Sequence, residues 1–190
     1  DITSDELFDI FKLHSEGKPS LLFGLQTALL DILSQKSEVP LNRYLNNNCL
    51  DLIKLNAVHT IHTSDKNFNV VKVKLGYNNI HDDIEMMTQI SSLYKSHVQF
   101  RIDVNGQLDL VKAIRFCKTM EQFNIEYIEQ PLAPNEFEDL SELRMHTNIP
   151  IAVDESLTSI ESAKQIIDAQ AAEIFIIKPM IIGDYNEVKD

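Results

Sequence analysis

Lys72 and Lys74 stand two residues apart in the apolar, β-branched run NFNVVKVKLG, residues 67 to 76. Downstream, further charged or polar side chains recur: Asp103 and Asn105 in DVN, Glu129 in EQP, Asp154 and Glu155 in VDES, and Lys178 in IKP. Successive side chains of a strand point to opposite faces, so Lys72 and Lys74 share one. On an interior face, two ammonium groups cost several kcal/mol unless partners offset them. Asp103, Glu129 and Asp154, brought together at the ends of adjacent strands, would supply that offset. They would also repel one another unless a cation sits among them. An all-oxygen donor set favours Mg²⁺, with Mn²⁺ or Ca²⁺ as alternatives, over zinc, which prefers nitrogen and sulfur. A lysine beside such a cation is disfavoured as ammonium and can serve as a base. A cation on a substrate carboxylate stabilises the charge formed when the adjacent carbon loses its proton. The expected chemistry is proton abstraction next to a carboxylate, through an enediolate.

Positioning these groups requires a repeated scaffold. From Asp51 onward, short β-rich runs alternate with helical ones, the signature of βαβ units and a parallel sheet. Strands are expected at LIKLNAV, VVKVKL, VQFRIDV, IEYIEQ, IPIAVDE and EIFIIKP. Helices are expected at HDDIEMMTQISSLYKS, LDLVKAIRFCKTMEQF, EFEDLSELRMHT and SIESAKQIIDAQ. Asp103, Glu129, Asp154 and Lys178 each mark a strand end, about 25 residues apart, near the size of a βαβ unit. In parallel α/β architectures this edge of the sheet is where sites are built. The regularity points to a barrel sector. Only about ten residues separate the first strand from the second, short for a crossover helix.

Before that region, SDELFDIFKLHSEGKPSLLFGLQTALLDILSQ has helical spacing broken at Gly17-Lys18-Pro19, so two helices are expected. Ser20 is the expected N-cap of the second. Leu21, Leu22, Leu25, Ala28, Leu29 and Ile32 form its expected apolar stripe, and Gly24 implies a close-approaching backbone.

Composition narrows the partners. A formal charge of -12 and a pI near 4.8 exclude the basic footprint that nucleic acids and anionic membranes require. A small polar or metal-bound carboxylate suits the chain better, and a homo-oligomer is left open. The chain is long enough for a full core, and no span approaches membrane-helix length. Cys49 and Cys117 have no paired spacing, which fits a reduced, cytoplasmic setting. His59 and His62 sit by the short connection, where a loop or strand-end role outweighs metal ligation. Met86, Met87 and Met120 read as core fillers.

The lysine pair followed by Asp, Glu, Asp and Lys resembles the enolase superfamily and, within it, the muconate-lactonizing-like subgroup. That resemblance implies a modified (β/α)7β TIM-type barrel preceded by an α+β cap domain. Residues 1–48 would be the C-terminal helical part of the cap, and 49–190 the barrel's first six strands. It further implies that the chain is a piece of that arrangement, without the last two barrel strands and the cap sheet. Asp103, Glu129 and Asp154 become Mg²⁺ ligands, Lys74 the acid/base with Lys72 as its neighbour, and Lys178 the opposing lysine. Asn105 and Glu155 become supporting groups. The run PSLLFGLQTALLDI looks like the cap helix of o-succinylbenzoate synthases, which dehydrate a hydroxycyclohexadiene carboxylate in menaquinone biosynthesis. N-acylamino acid racemases, dipeptide epimerases and cycloisomerases of the subgroup share the same site residues, and a noncatalytic metal-binding scaffold is the alternative of another class.

Overall fold

The computed structural model describes residues 3–60, 68–77 and 79–189. They fall into two compact units. One comprises Asp1–Ile53, Thr158–Ile160 and Lys178–Asp190; the other comprises Lys54–Leu157 and Glu161–Ile177.

The first unit is helical. Helix α1, Ser4–His14, opens on a capping box in which Thr3 and Glu6 satisfy each other's backbone N–H groups. Helix α2, Pro19–Lys36, starts with Pro19 in its first turn and Lys18 as N-cap, with no side-chain cap. Ser20 is therefore not the cap; its hydroxyl instead donates to the Met180 carbonyl at 3.0 Å. The buried row of α2 is Leu22, Gln26, Leu30 and Ser34, each four residues apart, while Leu21 and Ile32 are exposed. The expected stripe is thus rotated. Two polar residues can be buried because each is hydrogen-bonded, Gln26 to the Tyr185 N–H and Ser34 to the Asp31 carbonyl. Among the described residues nothing approaches within 4 Å of a Cβ placed at Gly24, so the expected close contact is not found there. Helix α3 is a short turn, Leu41–Leu45.

The second unit is a parallel sheet in sequential order. Its elements are β1 Ala57–Val58, β2 Val70–Lys74, α4 Ile80–Ser92, β3 Gln99–Asp103, α5 Leu110–Met120, β4 Ile125–Glu129, α6 Phe137–Met145, β5 Ile151–Val153, α7 Ile160–Asp168 and β6 Ile174–Phe175. Each expected strand and helix from β1 onward is present, the outer strands in shortened form. The first strand shrinks from LIKLNAV to Ala57–Val58, where it meets β2 in parallel register, leaving Leu52 and Leu55 exposed. Sequential order with crossovers of one hand places the connecting helices on a common face. Val71, Val73, Phe100, Ile102 and Ile128 supply that face, and Met87, Phe116, Met120, Leu140 and Ile166 cover it. Met86 is exposed, so only Met87 and Met120 of the expected methionines fill core. Cys117 lies in this core, and burial pushes its thiol up to about 12. Asp109 caps α5 through the Lys112 N–H, and Asn79 caps α4 through the His81 and Asp82 N–H groups.

The chain then returns to the helical unit in α8, Pro179–Ile182, and α9, Tyr185–Lys189. Gly183 between them has φ 97°, and a Cβ there would lie 2.6 Å from the Pro19 Cβ. Lys12 pairs with Asp184 at 2.8 Å. Among the described residues no helix is long and apolar enough to cross a membrane.

Candidate active site

Strand register aligns the charged groups. Lys74 of β2 pairs with Asp103 of β3, which pairs with Glu129 of β4, forming one row across three strands. Glu129 pairs in turn with Ala152, and Asp154 follows two residues later at the same edge. Two residues back along each strand, Lys72, Arg101 and Tyr127 form the preceding row on the same face. Val71 and Val73, which alternate with the lysines, are buried under the helices, whereas Lys72 and Lys74 occupy the opposite, polar face, as strand alternation requires.

The Lys72 ammonium sits between two buried carboxylates, 2.8 Å from Glu129 Oε1 and 2.9 Å from Asp103 Oδ2. Lys74 has different company. It donates to Asn105 Oδ1 at 2.9 Å, lies 3.8 Å from Asp103 Oδ2, and its side chain is 61% exposed. Asn105 is the hub of this outer layer. Its backbone N–H donates to Asp103 Oδ1 at 3.2 Å, its Nδ2 donates to Glu155 Oε1 at 2.8 Å, and its Oδ1 also accepts from the Tyr77 hydroxyl. Its φ of 50° turns the chain sharply just past the strand. The other carboxylate oxygen of Glu155 is buried and has no hydrogen-bond partner among the described residues.

Burial opposes the ammonium form of Lys72, but Glu129 and Asp103 outweigh it and raise the pKa above the ordinary lysine value. Burial also pushes the Glu129 carboxyl up, against the pull of Lys72, and the charges of Asp103 and Asp154 push it further. Both partners of one ion pair thus shift upward. The physical reason is that one ammonium faces several carboxylates, so negative charge remains in excess around Glu129. Buried oxygen donors with uncompensated negative charge suit a hard divalent cation, so the donor chemistry of Asp103, Glu129 and Asp154 fits Mg²⁺. Among the described residues, no three carboxylate, histidine or cysteine groups already stand at metal-ligating spacing, and Lys72 bridges two of the candidates.

Lys178 belongs to the helical unit, where it is the N-cap residue of α8. His59 Nδ1 lies 3.1 Å from the Tyr94 hydroxyl, at the end of β1; His62 lies outside the described residues. Two residues near the site escaped the sequence reading, Tyr77 and Gln130. Tyr77 carries no signal beyond its place after Gly76. Gln130 is signalled only weakly, as the residue between Glu129 and Pro131.

A family model described as enolase C-terminal domain-like matches residues 56–190. The o-succinylbenzoate synthase of Thermobifida fusca (strain YX) is 32% identical over 102 residues, 54% of this chain and 32% of that protein. The N-succinyl-L-Arg/Lys racemase of Bacillus cereus is 23% identical, across 97% of this chain and 53% of that protein. Among solved structures, a dipeptide epimerase from Cytophaga hutchinsonii, complexed with Mg and the dipeptide D-Ala-L-Val, superposes with a TM-score of 0.86 at 23% identity. It covers 98% of this chain and 54% of the epimerase chain. The chain therefore spans from about a third to about half of the length of these relatives. The structural likeness shows the fold, in which the six parallel strands and their helices follow a TIM-type barrel.

Proposed function

The chain belongs to the enolase superfamily, through its enolase C-terminal domain-like segment, and from that premise we propose that the protein is a Mg²⁺-dependent lyase of the o-succinylbenzoate synthase type. Its reaction is dehydration of a small carboxylate by removal of the proton next to the carboxylate. The observation that carries this reading is the division of labour between the two lysines. Lys72 is held between Glu129 and Asp103, which favour its charged form, whereas Lys74 is exposed and hydrogen-bonded to the neutral Asn105.

Asp103, Glu129 and Asp154 would hold the cation. A divalent ion there supplies positive charge beside the substrate carboxylate, where negative charge grows as the proton leaves. Lys74 takes that proton, giving an enediolate, and returns a proton to the departing hydroxyl. Asn105, anchored by Glu155, fixes the Lys74 side chain. Lys72 keeps Asp103 and Glu129 from repelling each other. Lys178 is assigned as the opposing lysine, stabilising the enediolate, on the family pattern alone.

The dehydration subtype is supported by the Thermobifida relative and by the run from Ser20 through Phe23 and Gly24. That assignment brings with it a place in menaquinone biosynthesis, a cytoplasmic setting, and residues 1–48 as cap helices before a barrel domain at 49–190. N-acylamino acid racemisation is the second reading, favoured by the Bacillus racemase aligning along nearly the whole chain. Dipeptide epimerisation and cycloisomerisation use the same residues, and Mn²⁺ is an alternative ion.

The discriminating experiment offers the full-length protein the hydroxycyclohexadiene carboxylate and an N-succinylamino acid in parallel, with Mg²⁺ and with chelator. Metal-dependent formation of the aromatic product supports the lyase. Racemisation without dehydration replaces it with the second reading.

A further inference from the structure

Gln130 follows Glu129 directly and has no exposed surface. Its φ is 42°, in the left-handed region that non-glycine residues avoid, and Pro131 behind it further disfavours helical conformations. A strained backbone of this kind persists only where its surroundings over-determine it, and it clusters at functional sites.

The surroundings here are specific. The Gln130 backbone N–H donates to the Ala152 carbonyl at 2.8 Å, and its carbonyl accepts from the Gly106 N–H at 2.7 Å. Its side-chain Nε2 donates to the Leu132 carbonyl at 2.9 Å and the Ser156 hydroxyl at 2.8 Å. Its Oε1 accepts the N–H groups of Asp154 at 3.0 Å and Ser156 at 3.1 Å. Every bonding position of the amide is filled, and the two N–H donors fix which end is oxygen. No other side chain serves both halves. Glutamate lacks the donors, asparagine is one methylene short, and leucine leaves two buried N–H groups without acceptors.

These bonds converge on the backbone of the three carboxylate stations. Gly106 lies three residues past Asp103, Glu129 immediately precedes Gln130, and the Asp154 N–H is bound outright. We propose that Gln130 is a positioning residue that clamps three strand ends together and so sets the spacing of Asp103, Glu129 and Asp154 for a divalent cation. This rests on the functional reading above for the cation, while the clamp itself stands on the hydrogen bonds.

The test measures amide hydrogen exchange by NMR and Mn²⁺ affinity by electron paramagnetic resonance on wild type, Gln130→Leu and Gln130→Glu. Circular dichroism checks that each is folded, and Gln130→Asn replaces any variant that is not. The proposal expects Gln130→Leu to lose at least about tenfold protection at Asp154 and Ser156, relative to Ile102, and to bind Mn²⁺ at least about tenfold more weakly. Gln130→Glu, which keeps the acceptor, should restore much of that protection. Unchanged protection in Gln130→Leu overturns the clamp, and lost protection with unchanged Mn²⁺ affinity overturns its role in spacing the carboxylates. A wild-type protein that binds no Mn²⁺ overturns the functional reading, whereas loss of protection in that case still upholds the clamp.

Discussion

The ammonium of Lys72 donates a 2.8 Å hydrogen bond to Glu129, from a strand two positions away in the sheet. Asp103, on the strand between them, meets the same ammonium at 2.9 Å. The three side chains therefore form a charge cluster spanning β2 to β4.

Removing that ammonium should expose the repulsion it masks. Lys72→Met is expected to cost about 3 kcal/mol in metal-free buffer, because it leaves two buried carboxylates without their shared counter-charge. Urea unfolding measures this, and Mg²⁺ should recover part of the loss. A wild-type midpoint in the variant would show that the cluster contributes nothing to stability.

Metal binding should appear as stabilisation. An ion that binds only the native state adds about 2.7 kcal/mol at a hundred times its Kd, so the melting temperature should climb with Mg²⁺ concentration. In Asp103→Asn, which loses one donor charge, the curve should shift to higher Mg²⁺ or flatten. Identical curves for both proteins would remove Asp103 from the donor set.

Gly76, two residues past the lysine strand, has φ 89°, and a Cβ there would lie 2.6 Å from Val104 Cγ1. Gly76→Ala should therefore destabilise by about 1–3 kcal/mol through backbone strain and overpacking, and loosen the loop that carries Tyr77. Thermal unfolding checks the first effect. A neutral substitution would mean that Val104 and the turn adjust freely.

Acid should loosen the C-terminal part of the helical unit. Burial opposes ionisation of Asp184, but Lys12 and the Asn186 N–H outweigh it, and its pKa lies below the ordinary aspartate value. A depressed carboxyl stabilises the fold above its unfolded pKa and loses that contribution as pH falls through its folded pKa. Protection factors in α9, referred to the intrinsic exchange rate at each pH, should thus fall in strongly acidic buffer, below the normal aspartate range. In Asp184→Asn that protection should already be reduced at neutral pH, relative to wild type at the same pH. An unchanged α9 in that variant would contradict the role of the pair.

How far the sequence reached depends on the physics behind each feature. Lys72 and Lys74 were legible because strand alternation alone puts them on one face, and Asp103 and Glu129 because each closes a βαβ unit. The breadth of β1 was not, since a strand extends only where a partner pairs with it, and among the described residues it is Ala57 and Val58 that stand in register with β2. Burial of Gln26 and Ser34 depends on hydrogen bonds that hydropathy does not encode. Gln130 was hidden for the same reason. Its importance lies in a backbone torsion and in N–H groups some 25 residues away, neither of which leaves a pattern in residue type.

The central claim is that Lys74 removes a proton next to a substrate carboxylate with the help of a divalent cation. Its most direct test follows deuterium incorporation at that carbon by NMR in D₂O, for the full-length protein with the cyclohexadiene carboxylate and an N-succinylamino acid, with Mg²⁺ and with chelator. Mg²⁺-dependent proton loss or exchange should fall at least about a thousandfold in Lys74→Ala, while Mg²⁺ affinity stays within a few-fold of wild type. Proton loss undiminished in Lys74→Ala, or none with either substrate at saturating Mg²⁺, would contradict the claim.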